Sequence, residues 1–177
     1  KPNRLKVRME TDSIFDASKG SFSGTLTAQW LHGAPASNLK AEVTLSLSKS
    51  DLPFKNYESY EFNNPLSKFE TNRHKLFEGN LNASGVAGVN TKVPKAENAP
   101  GMLRGNILSR VYESGGDMSF YAQTIYYSPY ASYVGVKSPQ PTRGEFLETD
   151  KPLSFDVVSL TPNGQKVSRT DLSYKVY

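Results

Sequence analysis

The fold is decided by the stretch Gly24-Thr25-Leu26-Thr27-Ala28-Gln29-Trp30, which leads directly into Leu31-His32-Gly33-Ala34-Pro35-Ala36. In the first half of this stretch apolar and polar residues alternate, so that Leu26, Ala28 and Trp30 share one face. This period of two is typical of a half-buried β-strand, because successive side chains of a strand point to opposite faces. The pattern predicts a strand over about residues 24–31, with Trp30 as a core anchor.

The second half of the stretch interrupts this periodicity with glycine and proline. Gly33 can adopt backbone angles that other residues avoid, while Pro35 fixes its own φ angle and lacks an N–H donor. Alternation resumes afterwards and predicts a strand at 39–48. We therefore expect residues 33–35 to form a tight, ordered link between two strands rather than a ligand-binding loop.

Further alternating or apolar segments predict an opening strand around Leu5, Val7 and Met9, and strands at about 57–62, 103–111 and 118–127. Residues 66–77 are ambiguous, and 79–93 indicate strands and turns. The paired glycines at 115 and 116 favour a hairpin connection. Short strands separated by turn signals, without an amphipathic helix between them, predict an all-β antiparallel sandwich of the immunoglobulin or fibronectin type. Its expected core residues are Leu26, Trp30, Val43, Leu45, Ile107 and Val111.

Composition excludes several classes of function. The chain has 177 residues, a net charge of +4, no cysteine, and no apolar run long enough for a transmembrane helix. Its basic residues are scattered among acidic ones, whereas nucleic-acid-binding modules usually cluster them, so we expect no nucleic-acid partner. The two histidines, His32 and His74, lie in predicted loops without companions at ligand spacing, and we expect no metal site.

The sequence also lacks recognisable catalytic patterns. There is no Gly-x-Ser-x-Gly elbow and no phosphate-binding loop, and Ser84 and Ser114 precede glycines in predicted turns. Glu145 and Glu148 are interpreted as solvated carboxylates. Triads assemble from distant segments, so a sequence alone does not test for them. We predict no enzymatic activity and no cofactor.

Tyrosines supply the remaining candidate for binding. The candidate interaction surface consists of Tyr121, Tyr126, Tyr127, Tyr130 and Tyr133. An exposed aromatic stripe could stack on sugar rings or anchor a protein partner. The alternative, which we favour, is that these residues fill the sandwich and an interdomain seam, with their hydroxyl groups reaching water.

A domain boundary is expected near residues 137–141, where two prolines in three residues favour a stiff, extended crossing. The predicted domains are 1–137, a complete sandwich, and 138–177, the opening strands of a second one. The second segment has apolar patterns at 153–157 and 172–176 around a turn at 161–164. We expect the chain to be a piece of a longer protein, and the incomplete second segment to pack on the first domain or to self-associate.

Four stretches resemble macroglobulin-like domains of bacterial relatives of α2-macroglobulin. Residues 30–36 are similar to the family's Tyr-Leu-Phe-Gly-Ala-Pro-Ala, with Trp30 and His32 as departures that keep the spacing. The other similar stretches are residues 51–62, residues 80–87, and the strands from 99–116 and 133–137. The resemblance covers residues 24–137 well and the rest more loosely.

The resemblance implies a structural scaffold domain of a protease-trapping, endopeptidase-inhibiting protein of the bacterial cell envelope. The implied partners are neighbouring macroglobulin-like domains of the parent chain, and the targets of the full-length protein are proteases. Many relatives capture proteases through a thioester between a cysteine and a glutamine, and this chain contains no cysteine for that bond. The alternative function is a carbohydrate- or protein-binding module of a surface adhesin or of a polysaccharide-utilisation system.

Overall fold

The computed structural model describes residues 4–51, 54–139, 147, 150 and 152–174. Within these residues, the strands in chain order are β1 (Leu5–Thr11), β2 (Ile14–Asp16), β3 (Ser21–Trp30), β4 (Lys40–Lys49), β5 (Asn72–Asn80), β6 (Val86–Lys92), β7 (Leu103–Tyr112), β8 (Met118–Ser128), β9 (Tyr133–Lys137) and β10 (Asp156–Leu160). Two single 3₁₀ turns, at Ala17–Lys19 and Lys55–Tyr57, are the helical elements of this part of the chain. None of its helices is long and apolar enough to cross a membrane.

Strands β1 to β8 form a β-sandwich, as the sequence predicts, whereas β9 pairs with β10 in a separate two-stranded sheet. One layer has three strands in the order β1-β3-β6, and the other has five in the order β2-β8-β7-β4-β5. Pairing within both layers is antiparallel except for the short strand β2, which runs parallel to β8. The inward faces of the two layers meet in one apolar cluster, which we call the main core.

The main core follows from the alternation in the sequence. Along β1 and β7 every second residue is buried, and the intervening residues face outward. In the register between β1 and β3, Val7 lies opposite Ala28 and Met9 opposite Leu26, so both strands present apolar side chains to the same side. Burying each large aliphatic side chain stabilises the fold by roughly 1.5–3 kcal/mol. The predicted core residues Leu26, Val43, Leu45, Ile107 and Val111 are all buried.

Trp30 departs from the expectation of a core anchor, because it is only partly buried against the main core. Its face is the predicted one, since Leu26 and Ala28 on the same side of β3 are buried. However, Trp30 is the last residue of the strand and lies at the end of the sandwich, where only part of the indole is covered. The prediction was right about the face of the strand and wrong about the depth.

The strand predicted at 57–62 is also wrong. The chain instead makes tight turns there, with the Tyr57 N–H donating to the Phe54 carbonyl at 2.9 Å and the Tyr60 N–H donating to the Tyr57 carbonyl at 3.0 Å. Only Glu61 forms an isolated bridge, to Val136. The spacing of aromatic residues that suggested a strand instead serves a second apolar cluster, described below. Conversely, the ambiguous segment 66–77 contains most of β5.

The residues beyond the expected boundary contribute one strand to the described structure. β10 begins three residues later than the predicted strand at 153–157, and it pairs antiparallel with β9. The predicted turn at 161–164 is present, closed by the Gly164 N–H donating to the Thr161 carbonyl at 2.9 Å. Of the strand predicted at 172–176, residues 172–174 are not extended into a sheet, and 175 and 176 lie outside the described residues. The division into two domains at 137 stays a prediction.

Candidate functional site

The connector at 30–36 is a hydrogen-bonded turn. The Gly33 N–H donates to the Trp30 carbonyl at 2.8 Å, and the Trp30 N–H donates to the Ala34 carbonyl at 2.8 Å. Gly33 has a φ of 96°, in the region that favours glycine. The chain thereby doubles back along the end of β3, where Pro35 forms a bridge with Gln29. The sequence of the connector thus builds a hydrogen-bonded backbone turn.

A second turn locks the connector in place. Gly85, between β5 and β6, has a φ of 73° and accepts a hydrogen bond from the Ala28 N–H at 2.9 Å. A Cβ at this position would collide with the backbone of Ala28 and would lie 2.9 Å from the Ala36 nitrogen. The sequence predicts a turn at Ser84 and Gly85 but gives no sign of this contact. The two segments are distant in sequence, so no local pattern indicates it.

Leu31 and His32 of the connector point outward, whereas Ala36 is buried in the main core. Leu31 is 72% exposed, and the exposed His32 ring lies nearly parallel to the Trp30 ring, at 6.5 Å between centroids and 15° between planes. The guanidinium of Arg4 lies 5.8 Å from the centre of the Trp30 ring and pairs with Glu113 at 3.2 Å. This arrangement is a small packed patch at one end of the sandwich.

The other candidate chemical groups do not converge on the connector. His74 lies in β5, not in the polar loop that the sequence predicted, and its Nε2 is buried without a hydrogen-bond partner among the described residues. Across those same residues, no three His, Asp or Glu side chains are placed to hold a metal ion. Glu145 and Glu148 lie outside the described residues. Ser84 and Ser114 lie in turns, as predicted.

The five tyrosines do not form one surface, and the interpretation as an exposed stripe is wrong for two of them. Tyr127 is fully buried in the main core, and Tyr133 is 3% exposed in a separate cluster. Tyr121 packs partly against the main core, Tyr126 partly against the separate cluster, and Tyr130 is 38% exposed. The physical reason is the alternation along β8, which turns residues 121 and 127 inward and 126 outward.

The hydroxyl groups of Tyr127 and Tyr130 form hydrogen bonds with a neighbouring loop. The Tyr127 hydroxyl donates to the Pro94 carbonyl at 3.2 Å and accepts from the Ala96 N–H at 3.1 Å. The Tyr130 hydroxyl donates to the Ala99 carbonyl at 2.6 Å. These bonds attach the loop between β6 and β7 to the end of β8. Burial raises the pKa of Tyr127, although the hydrogen bond from the Ala96 N–H acts in the opposite direction.

Tyr133 belongs to a second apolar cluster, which the sequence did not reveal and which we call the junction cluster. Its buried members are Phe54, Phe62, Met102, Tyr133 and Leu160, and partly buried around them lie Tyr57, Tyr60, Tyr126 and Val158. The Tyr133 hydroxyl shares a hydrogen bond of 2.6 Å with Ser128 Oγ. Burial raises the pKa of Tyr133 to about 12. The signal in the sequence was the density of aromatic residues in two separate segments, at 54–62 and 126–133.

The layered sheets define the chain as a β-sandwich module. Residues 3–118 match the family model of the bacterial alpha-2-macroglobulin MG5 domain. Since this match covers more than half of the sequence, the chain belongs to that family, and the resemblance noted in the sequence is confirmed. No curated protein matches the chain.

Solved structures of bacterial alpha-2-macroglobulins have the same fold. The native form of the Escherichia coli protein is 16% identical with a TM-score of 0.69, and the match covers 93% of this chain and 11% of that one. The trypsin-activated E. coli protein is 17% identical with a TM-score of 0.70, and the match covers 93% of this chain and 12% of that one. The Salmonella protein reacted with methylamine is 18% identical with a TM-score of 0.67, and the match covers 94% of this chain and 12% of that one. The chain therefore spans about an eighth of the length of these relatives.

Proposed function

We propose that this chain is a non-enzymatic scaffold domain of a bacterial alpha-2-macroglobulin-like protein that traps proteases. The observation that carries the proposal is the match of residues 3–118 to the MG5 domain family. The E. coli protein with the same fold is described as activated by trypsin and by porcine elastase. For this chain, proteases would be targets of the full-length parent protein, and not of the domain alone.

The described residues fit a mechanical role. Two layers of strands share a continuous main core, and the hydroxyl groups of Tyr127 and Tyr130 attach the long loop between β6 and β7 to the end of β8. A domain of this kind can transmit force between its neighbours because close-packed interiors deform little. The immediate partners are then the adjacent macroglobulin-like domains of the parent chain. We place that parent in the bacterial cell envelope, without cofactor, metal or nucleic acid at this domain.

The alternative of a sugar-binding or protein-binding module loses the observation on which it rested. That function needs aromatic rings exposed along one surface. Tyr127 and Tyr133 are buried, and the hydroxyl group of the exposed Tyr130 is bound to the Ala99 carbonyl. No specific observation in the described residues favours this function over the scaffold.

The experiment titrates the purified parent protein with trypsin and follows hydrolysis of casein and of a small chromogenic peptide. An enclosed protease is shielded from large substrates but still reaches small ones. We therefore expect casein cleavage to fall while peptide cleavage persists. The isolated chain should neither inhibit trypsin nor hydrolyse peptide or glycan substrates. Undiminished casein cleavage with the parent protein would overturn the proposal, as would turnover by the isolated chain that a point mutation abolishes.

A pair of leucine variants of the parent protein links trapping to this domain. Leu45 is fully buried at the centre of the main core, whereas Leu66 is 78% exposed. Leu45→Ala should lower the fraction of trypsin that is trapped, and the matched Leu66→Ala should leave it unchanged. Equal trapping by both variants would show that the integrity of this domain does not matter for the activity.

A further inference from the structure

The junction cluster joins residues from both sides of the expected boundary at 137. Phe54 and Phe62 come from the loop after β4, Tyr133 begins β9, and Leu160 ends β10. The rings of Phe54 and Phe62 are 4.7 Å apart between centroids, and those of Phe54 and Tyr133 are 5.6 Å apart. All four side chains are buried. The segment after the boundary therefore packs onto the sandwich through Leu160, which is buried in the same cluster as Phe54, Phe62 and Tyr133.

Backbone hydrogen bonds run through the same junction. Glu61 and Val136 exchange two of them, at 2.9 Å from the Glu61 N–H and 3.0 Å from the Val136 N–H. On its other edge, Val136 lies opposite Val157 of β10. Beyond β10, the Val167 N–H donates to the Ser159 carbonyl at 2.9 Å. Hydrogen bonds thus connect four adjacent segments, which are the loop at Glu61, β9, β10 and the hairpin that follows β10.

One glycine makes this packing sterically feasible. Gly135 lies in β9 directly against the Phe62 ring, and a Cβ at this position would overlap the ring. Its φ is outside the left-handed region, so space, and not backbone conformation, requires glycine here. Gly115 offers the opposite case, since a Cβ there would meet nothing within 4 Å and its φ is also outside that region.

We propose that the junction cluster is a fixed joint that holds residues 156–167 in a single orientation on the sandwich. A movement imposed on either side is then passed to the other as a rigid-body movement. The ring contacts of Phe54, the double hydrogen bond between Glu61 and Val136 and the close fit at Gly135 hold β9 on the sandwich. Because β10 pairs with β9, these contacts also oppose rotation of β10 about the joint. The inference goes beyond the scaffold function and does not depend on protease trapping.

The absence of cysteine allows a direct test by distance measurement between two introduced spin labels. Thr25→Cys labels the exposed outer face of the three-stranded layer, and Asp156→Cys labels the exposed start of β10. The doubly labelled chain should give one narrow distance distribution. Adding Gly135→Ala should broaden it several-fold, and adding the matched Gly115→Ala should leave it unchanged. In parallel, the Val136 amide should exchange with deuterium about tenfold faster or more in Gly135→Ala.

Trp30 fluorescence, from the single tryptophan in the chain, reports whether the sandwich itself is folded in each variant. If Gly135→Ala fails to fold by this measure, Leu160→Ala replaces it, since that change removes a buried side chain of the joint without adding volume. A broad distribution in the doubly labelled chain without a further change would overturn the proposal. So would a narrow distribution that persists when a folded Gly135→Ala or Leu160→Ala variant is measured.

Discussion

The main core and the junction cluster both exclude water, but they are assembled from different kinds of sequence. The main core is largely aliphatic and comes from alternating positions of strands in both layers. The junction cluster is mostly aromatic and combines two turns of irregular chain with the ends of short strands. The two clusters therefore have different structural roles. The main core specifies the sandwich, and the junction cluster specifies how the following segment is attached to it.

The largest loss of stability should come from a substitution in the main core. This substitution tests how much that cluster contributes to the free energy of unfolding. Leu45→Ala removes a fully buried side chain between two paired strands, β5 and β7. It should lower the free energy of unfolding by about 2–5 kcal/mol, as such core truncations do. Urea denaturation followed by circular dichroism measures this loss.

The matched control for that prediction is Leu66→Ala, at a side chain that is 78% exposed. It should change the free energy of unfolding by less than about 0.5 kcal/mol. A loss below about 1 kcal/mol for Leu45→Ala would contradict the assignment of Leu45 to the cooperative core.

The second effect belongs to the junction cluster and appears at alkaline pH. Burial raises the pKa of Tyr133 to about 12, although its hydrogen bonds with Ser128 and with the Tyr130 backbone act in the opposite direction. Repulsion from the charges of Tyr130 and Asp16 adds a smaller rise. A group whose pKa is raised by folding stabilises the folded state fully below its unfolded pKa, near 10, and this stabilisation is lost as the pH rises towards 12. The loss from this one group should be on the order of 2 kcal/mol.

The comparison with Tyr133→Phe isolates this contribution from the other tyrosines, since burial also raises the pKa of Tyr127 and Tyr112. Between about pH 9 and pH 12, the free energy of unfolding should decrease less in Tyr133→Phe than in the unmodified chain. The variant has no proton to lose at this position. Identical pH dependence in both proteins would show that Tyr133 ionises without cost and that the junction cluster is open to water.

The two regions also differ in how far a sequence predicts them. Strands β1, β3, β4 and β7 follow from alternation, because burying one face of a sheet imposes a period of two. Strand β8 follows as the partner of β7 across the hairpin at Gly115 and Gly116. The junction cluster does not follow, since its members come from segments far apart in the chain whose contacts depend on the topology. At 57–62 the spacing of aromatic residues is like that of a strand, but these residues pack in the junction cluster. Tyr126 and Tyr127 are adjacent in sequence, yet they point to opposite faces of β8 and pack in different clusters.

The connector shows the same limit at the level of single residues. The ordered turn at Gly33 was predicted from glycine and proline alone, and the structure contains it as a hydrogen-bonded turn. Its contact with Gly85 and the cover of Trp30 by Arg4 required the fold to be known. A sequence can predict a local turn from its glycine and proline residues, but it does not predict which distant segments contact that turn.

The third effect lies at the margin of the main core. Trp30→Ala truncates a large side chain that is only partly buried at the end of β3. The cost should be about 1.5–2 kcal/mol, below the roughly 3–5 kcal/mol typical of fully buried aromatic residues. Chemical denaturation measures it against Leu45→Ala in the same buffer. A cost as large as that of the buried leucine would mean that the end of the sandwich is closed more tightly than the partial burial indicates.

The smallest effect concerns His32, whose ring is exposed and stacked on Trp30. His32→Phe keeps a planar ring at the same position, so the stack and the partial cover of the indole should both persist. The melting temperature should shift by no more than about 2 °C, which corresponds to roughly 0.5 kcal/mol in a domain of this size. Gly33→Ala is the contrasting change, because it forces a side chain into a φ of 96° and should cost about 1–2 kcal/mol. A larger loss from His32→Phe than from Gly33→Ala would mean that the imidazole itself, and not the backbone turn, holds the connector in its shape.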